Sequence, residues 1–176
     1  TGLDISHASI LFAKQFEYPH LTFYQHDMRK PFRSNYYDAV MNMFTSFGYF
    51  KTDAEHLITL KHVATNLKLG GLFLLDFLNS TFVQQNLVRS EVKTVEKITF
   101  ELKRWVRDGF VFKTVKFETG GRVFRFQEQV RLFELVDFEA LFEKVGLRIQ
   151  QIYGGYDLAP FEVNTSKRLI LVAEKI

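Results

Sequence analysis

The hydrophobic positions of this chain follow two rhythms that change over near residue 90. Before it, short apolar runs alternate with stretches of helical period. Thr1-Gly2-Leu3-Asp4 reads as the end of a strand, and Ser6 is placed to cap a helix from about His7 to Phe16. Leu21–Tyr24 and Tyr37–Asn42 read as a second and a third strand. Thr52 opens a helix with the capping box Thr52-x-x-Glu55, and Leu57, Leu60, Ala64 and Leu67 form its apolar stripe. Lys68-Leu69-Gly70-Gly71 is expected to end that helix, with glycine in the left-handed turn. Leu72–Leu78 is almost unbroken apolar, the pattern of a strand covered on both faces. Asn79-Ser80 then caps a short helix to about Leu87. This β-α-β-β-α-β-α order predicts an α/β fold built on a mainly parallel sheet.

Beyond residue 90 the period drops to two. Ile98, Phe100, Leu102 and Val106 alternate with Thr99, Glu101, Lys103 and Trp105. Asp108-Gly109 and Thr119-Gly120-Gly121 are hairpin signals, so three strands at about 95–106, 110–118 and 122–133 are expected to form an antiparallel meander. Asp137 is expected to cap a helix with Phe138, Leu141, Phe142 and Val145 on one face, closed by Gly146. Leu147–Tyr153 and Arg168–Glu174 read as two closing strands joined by a long loop, Gly154–Lys167. No repeat, low-complexity tract or linker divides residues 1–176, which read as one domain with the meander inserted in it.

Composition narrows the chemistry. A 176-residue chain that is 47% apolar and holds 20 Phe can bury a core and is not disordered. With no cysteine, thiolate nucleophiles, disulfides and cysteine-ligated metals are excluded, which fits a cytoplasmic protein. No apolar run reaches membrane-spanning length, and no signal peptide opens the chain. The net charge of +3 is uneven: residues 89–131 carry 11 Lys/Arg against 6 Asp/Glu. That surplus is weak beside a nucleic-acid-binding face, and solvated strand edges explain it better.

The candidate chemistry gathers where strands end. Asp4 closes a strand just before a helix, where a carboxylate can accept both hydroxyls of a ribose; taken alone, a solvent-facing acid beside Ser6 is the simpler reading. Asp27 and Met28 close the next strand similarly, with an acid opening the Arg29-Lys30-Pro31 turn as the plain alternative. The third strand runs into the aromatic loop Met43-Phe44-Thr45-Ser46-Phe47-Gly48-Tyr49-Phe50, in the position where open α/β sheets form their ligand crevice. The five histidines show no metal-ligand spacing, and no Gly-x-Ser-x-Gly elbow, P-loop or Gly-x-Gly-x-x-Gly occurs. Glu128 and Arg104 interrupt apolar faces of the meander. A cross-strand Arg104–Glu128 pair is the simpler expectation; a Glu128 that faces a pocket is the candidate proton acceptor.

In order and spacing these stretches resemble the class I S-adenosylmethionine-dependent methyltransferases, small-molecule type with a β-lid insert. Thr1–Ser6 is similar to their second strand and its ribose-binding acid, Gln25-His26-Asp27-Met28 to the acid and neighbour that hold adenine. Tyr37–Phe50 resembles the fourth strand and its loop, Leu69–Asp76 the Gly-Gly turn into the fifth. Val145-Gly146-Leu147 and the closing strand pair are similar to the sixth and seventh. The resemblance implies a Rossmann-like sheet that lacks its first strand and the glycine-rich loop after it, as in a chain truncated before the second strand. It implies S-adenosyl-L-methionine as cofactor, with Asp4, Ile5, Asp27, Met28, Met43 and Phe44 on the cofactor and Phe47, Tyr49, Arg131 and Tyr156 on the substrate.

The implied activity is methyl transfer to a small acceptor, weak or absent in an incomplete chain. The expected partners are that acceptor and a second copy of the chain, with no nucleic acid and no membrane. The alternatives are a nicotinamide-dependent Rossmann oxidoreductase, to whose ribose Asp4 is equally suited, and a non-catalytic dimerisation or binding module of the same fold. The meander is expected to roof the crevice, with the Gly154–Lys167 loop closing its other side.

Overall fold

A computed structural model describes all 176 residues. The elements are β1 (Gly2–Asp4), α1 (His7–Ala13), β2 (Phe23–Gln25), β3 (Tyr37–Asn42), α2 (Asp53–Asn66), β4 (Leu67–Leu78), α3 (Ser80–Gln85), β5 (Ser90–Val95), β6 (Ile98–Arg107), β7 (Phe110–Thr119), β8 (Arg122–Arg131), α4 (Leu135–Glu143), β9 (Leu147–Tyr153) and β10 (Arg168–Lys175). One sheet runs β3-β4-β10-β9. β3 and β4 are parallel, and β10 is antiparallel to both β4 and β9, so only β10 runs against the other three. β1 and β2 form a separate parallel pair.

The ladder is thus broken between the β1–β2 pair and β3. The joint is made instead by the amides of Asn35 and Tyr36, which donate to the carbonyls of Thr65 and Asn66 at the end of α2 (2.8 and 2.9 Å). Arg29 adds a 2.8 Å ion pair to Glu55. The break falls where the sequence reading lacks a strand.

Helices α2 and α4 cover one face of the larger sheet. Leu60 and Ala64 of α2, and Phe138, Leu141 and Phe142 of α4, meet Phe73, Leu75 and Phe77 of β4 and Leu169, Leu171 and Ala173 of β10. These strand residues alternate, as a single buried face requires. The opposite face departs from the two-sided covering expected of Leu72–Leu78, because Leu72 is 44% exposed.

Local chemistry explains the element ends. Thr52 and Glu55 form the expected reciprocal capping box at α2. Three boundaries differ. α2 ends at Asn66 without a glycine cap, and β4 starts at Leu67; Gly70, with φ +74°, sits in an irregularity inside the strand where the register to β3 shifts. α4 begins at Leu135, and Asp137 is not its cap but accepts from the Glu134 amide at 2.8 Å one turn in. The meander has four strands, not three, because Ser90–Val95 pairs along β6. That hairpin turns through Glu96 and Lys97, both with positive φ, a geometry normally announced by Asn-Gly or Asp-Gly and so invisible in this sequence.

The expected Arg104–Glu128 pair does not form. In register Arg104 faces Lys113, and Lys113 faces Glu128, so a whole strand lies between the two. Neighbouring strands are about 4.8 Å apart, which puts Arg104 and Glu128 about 10 Å from each other. Arg104 bonds Glu91 and Glu128 bonds Lys113, each at 2.9 Å.

Candidate active site

β4 carries the centre of the site. Its last turn of alternation puts Asp76 on the face away from the helices, and the carboxylate is wholly buried. A buried charge must be paired and its lone pairs filled. Arg168, entering on β10 opposite the end of β4, donates from Nε to Asp76 Oδ1 at 2.7 Å. The Phe44 amide and the Tyr156 hydroxyl donate to Oδ2 at 2.7 and 2.8 Å. Arg168 also donates to Thr45 Oγ1 (2.9 Å), and the Thr45 amide donates to the Asp76 carbonyl (3.0 Å). Phe44 and Thr45 have φ of +57° and +59°, an uncommon conformation for residues with side chains. One acid therefore fixes the loop after β3, the Gly154–Lys167 loop and β10. The hydrogen bond to Asp76 pushes the Tyr156 phenol above its ordinary pKa, with desolvation adding to it.

The meander plants its base on the same rim. The Arg131 amide donates to the Gly48 carbonyl at 2.8 Å. Gly48 has φ +97°, and a Cβ there would meet Val130 at 2.9 Å and Phe77 at 3.1 Å, so the loop can approach β8 only as glycine. Tyr49 is 44% exposed and stands beside Glu128; the buried part of its environment first, then that carboxylate, push its phenol pKa up.

The sequence candidates divide. Asp4 lies exposed at the end of β1, accepting the Ser6 amide at 2.7 Å through Oδ1, while Oδ2 has no partner. Ile5, Met28 and Phe44 are exposed, at 63%, 37% and 75%. Met43 is half-buried and turns its carbonyl to the Ser46 hydroxyl. Asp27 follows β2 at the same end as Asp4, but both its oxygens accept from Arg29; those bonds hold its carboxyl at about 2. The plain reading of Asp27, the acid of the Arg29 turn, is thus what its contacts express. Tyr156 reaches the rim through Asp76, and Tyr49 and Glu128 stand together. Arg131 is occupied: it pairs with Asp53 at 3.4 Å, donates to the Gly109 carbonyl at 2.9 Å and lies over the rings of Phe110 and Phe133.

Phe47 corrects the substrate assignment. Only 1% of it is exposed, and its ring packs on His56, Phe133 and Phe138 in the core. A ring so enclosed cannot wall a crevice. Asp76, Arg168 and Thr45 were not singled out from sequence. The signal was a lone acid in the apolar run Leu72–Leu78, which only a partner at residue 168 makes intelligible.

His56, in the first turn of α2, is a second buried titratable group. Its Nε2 accepts from the Phe50 amide at 3.3 Å, and Nδ1 has no hydrogen-bond partner. Burial pushes the imidazole below its ordinary pKa. The unfolded chain therefore binds a proton at higher pH than the folded one, and stability falls as pH drops through the ordinary histidine value of about 6.5. Melting at pH 7.5 and pH 5.5 is expected to show a lower midpoint in acid, with the difference reduced in His56→Gln. An equal difference in both proteins would place the effect elsewhere.

Known proteins were compared with this geometry. No protein-family model matches the chain. A curated relative, the dTDP-3-amino-3,4,6-trideoxy-alpha-D-glucopyranose N,N-dimethyltransferase of Streptomyces venezuelae, is 28% identical over 162 residues, covering 88% of this chain and 68% of the relative. The CcbJ methyltransferase of Streptomyces caelestis superimposes with a TM-score of 0.82 at 14% identity, over 99% of this chain and 73% of that one. A S-adenosylmethionine-dependent methyltransferase of Clostridium acetobutylicum gives 0.81 at 18% identity, over 98% and 73%. The chain has the S-adenosylmethionine-dependent methyltransferase fold. Within that fold the antiparallel β10, inserted between β4 and β9, separates this methyltransferase-like sheet from the nicotinamide-dependent alternative, for which nothing beyond Asp4 speaks.

Proposed function

We propose that the protein transfers a methyl group from S-adenosyl-L-methionine to the amine of a small acceptor, an amino sugar carried on a nucleotide. The observation that carries this reading is the similarity to the sugar N,N-dimethyltransferase across 88% of the chain, together with the exposed strand-end groups that face the expected crevice. The residues fit the adenosine half of the cofactor. Asp4 keeps Oδ2 unpartnered at a strand end, where it can accept ribose hydroxyls, and the exposed Met28 and Phe44 offer apolar cover for a flat ring. Each Asp27 oxygen already accepts two bonds from Arg29, so an adenine amino group would have to displace one of them to bond there.

When bound, the cofactor's sulfonium supplies a methyl group already activated for in-line displacement. The chain's part is alignment and exclusion of water. Asp76 holds Tyr156 and the Phe44 loop in register, and Tyr49 and Glu128 form the wall under the meander, which acts as a lid. The acceptor nitrogen would have to be held neutral, with its lone pair free, and the proton it gives up afterwards would pass to water. Glu128, bonded to Lys113, orients the amine as a hydrogen-bond acceptor. This reading includes a cytoplasmic location and no nucleic-acid or membrane partner. Separately, no helix is long and apolar enough to cross a membrane.

Calorimetric titration with S-adenosylhomocysteine tests the reading. Asp4→Ala is expected to weaken binding about 10- to 100-fold, the loss of one or two charge-assisted hydrogen bonds. Unchanged binding in the variant, or none in either protein, overturns the assignment. Incubation with an amino sugar nucleotide and S-adenosyl-L-methionine, read by mass spectrometry, tests the acceptor separately.

A further inference from the structure

We propose that the acceptor is held by its diphosphate on a row of cations, Arg89, Arg104 and Lys113, with its nucleoside in the adjoining groove beside Trp105. The inference rests on the reading of the acceptor as an amino sugar carried on a nucleotide. Register puts Arg104 of β6 directly opposite Lys113 of β7, and Lys113 opposite Glu128 of β8. The Arg104 amide donates away from β7, to the Arg89 carbonyl at 2.9 Å. Arg104 and Lys113 are therefore the close kind of antiparallel pair, with Cα atoms about 4.5 Å apart. Like charges placed directly opposite each other cost stability. Their neighbours along the same face are apolar, Leu102 and Val106 on β6 and Val111 and Val115 on β7. Two adjacent cations set into an apolar face call for an anion.

The chain answers that charge only in part. Glu91 pairs with Arg104 and Glu128 with Lys113, but Arg89, opposite Arg104, is an exposed third cation with no ion pair. The side chains of Arg104 and Lys113 are 22% and 34% exposed, open to a ligand yet partly shielded from water. Guanidinium forks suit phosphate oxygens. Arg89 also lines a groove of about 510 Å³ between the end of α3 and β6. β5 begins at Ser90, opposite Lys103, so β6 has no strand beside it at Trp105 and Val106, and these two wall the groove. Trp105 is backed by Phe112 in a parallel stack at 5.3 Å, which fixes a ring against which a flat base can lie. The Gln85 amide lines the same groove and supplies a donor and an acceptor for the edge of that base. Groove, cations and Glu128 thus follow the order nucleoside, diphosphate, amino sugar. Glu128, the acceptor for the amine, stands two strand spacings from Arg104, about 10 Å, and one from Lys113.

Trp105 is the chain's single tryptophan, so its fluorescence reports on the groove directly. Thymidine diphosphate titrated into the full chain, without cofactor, is expected to quench it to saturation. Arg89→Gln, at an exposed side chain, is expected to weaken binding about tenfold, and Arg104→Gln by at least as much. Pyrophosphate, which lacks the base, is expected to compete about tenfold more weakly than thymidine diphosphate. If Arg104→Gln loses its fold, Arg89→Gln decides alone. Calorimetric titration of the same proteins with S-adenosylhomocysteine separates this proposal from the methyl-transfer reading. A chain that binds S-adenosylhomocysteine but not thymidine diphosphate overturns the subsite alone. One that binds thymidine diphosphate through Arg89 but no S-adenosylhomocysteine sustains the subsite and overturns methyl transfer. Absent quenching, unchanged affinity in Arg89→Gln, or pyrophosphate binding as tightly as thymidine diphosphate overturns the proposal.

Discussion

Asp76→Ala is expected to destabilise the protein by about 3–5 kcal/mol, the cost of leaving a buried charge without its partner. Arg168 is the residue left exposed to that cost, since its guanidinium is largely enclosed. The Phe44 amide and the Tyr156 hydroxyl lose their acceptor in the same step. Against a total stability of about 5–15 kcal/mol for a domain, this is a large fraction. Denaturant unfolding monitored by fluorescence measures it. The companion variant Asp76→Leu/Arg168→Met is expected to recover part of the loss, because an apolar pair can replace an ion pair at little cost. It is not expected to recover all of it, as two donors stay unpaired. A single variant that unfolds at the wild-type midpoint would show that Asp76 does not hold the rim together.

Phe47→Ala is expected to cost a similar amount, about 3–5 kcal/mol, as a buried phenylalanine truncated to a cavity. The ring sits between α2 and α4, touching Phe133, Phe138 and His56. Its loss is therefore a loss of core, and the midpoint of thermal unfolding should fall sharply. By contrast Tyr49→Phe, at a partly exposed position beside Glu128, should leave stability nearly unchanged. If Phe47→Ala folds as firmly as wild type and weakens only ligand binding, the ring belongs to the crevice after all.

The two residues illustrate why sequence reading stops where it does. Phe47 and Phe44 look alike in the run Met43–Phe50, yet one is buried and the other is 75% exposed. Which ring turns inward is set by the positive φ at Phe44 and Thr45 and at Gly48. Those angles are imposed by Asp76 and by the close approach of Val130, residues about thirty and eighty positions away along the chain.

What the sequence determined by itself was the order and kind of the elements. Period 2 against period 3.6 is a local property, so the strands, the α2 capping box and the change of architecture near residue 90 were legible, as was the likeness to methyltransferases. Strand-end acids were legible for the same reason, because a strand end is a local event. The tertiary structure alone decided what pairs with what. Register put Lys113 between Arg104 and Glu128, packing buried Phe47, and the approach of β10 to β4 gave Asp76 its arginine. Such choices depend on distances between residues far apart in the chain. A single chain's pattern of apolar and polar positions carries no term for those distances.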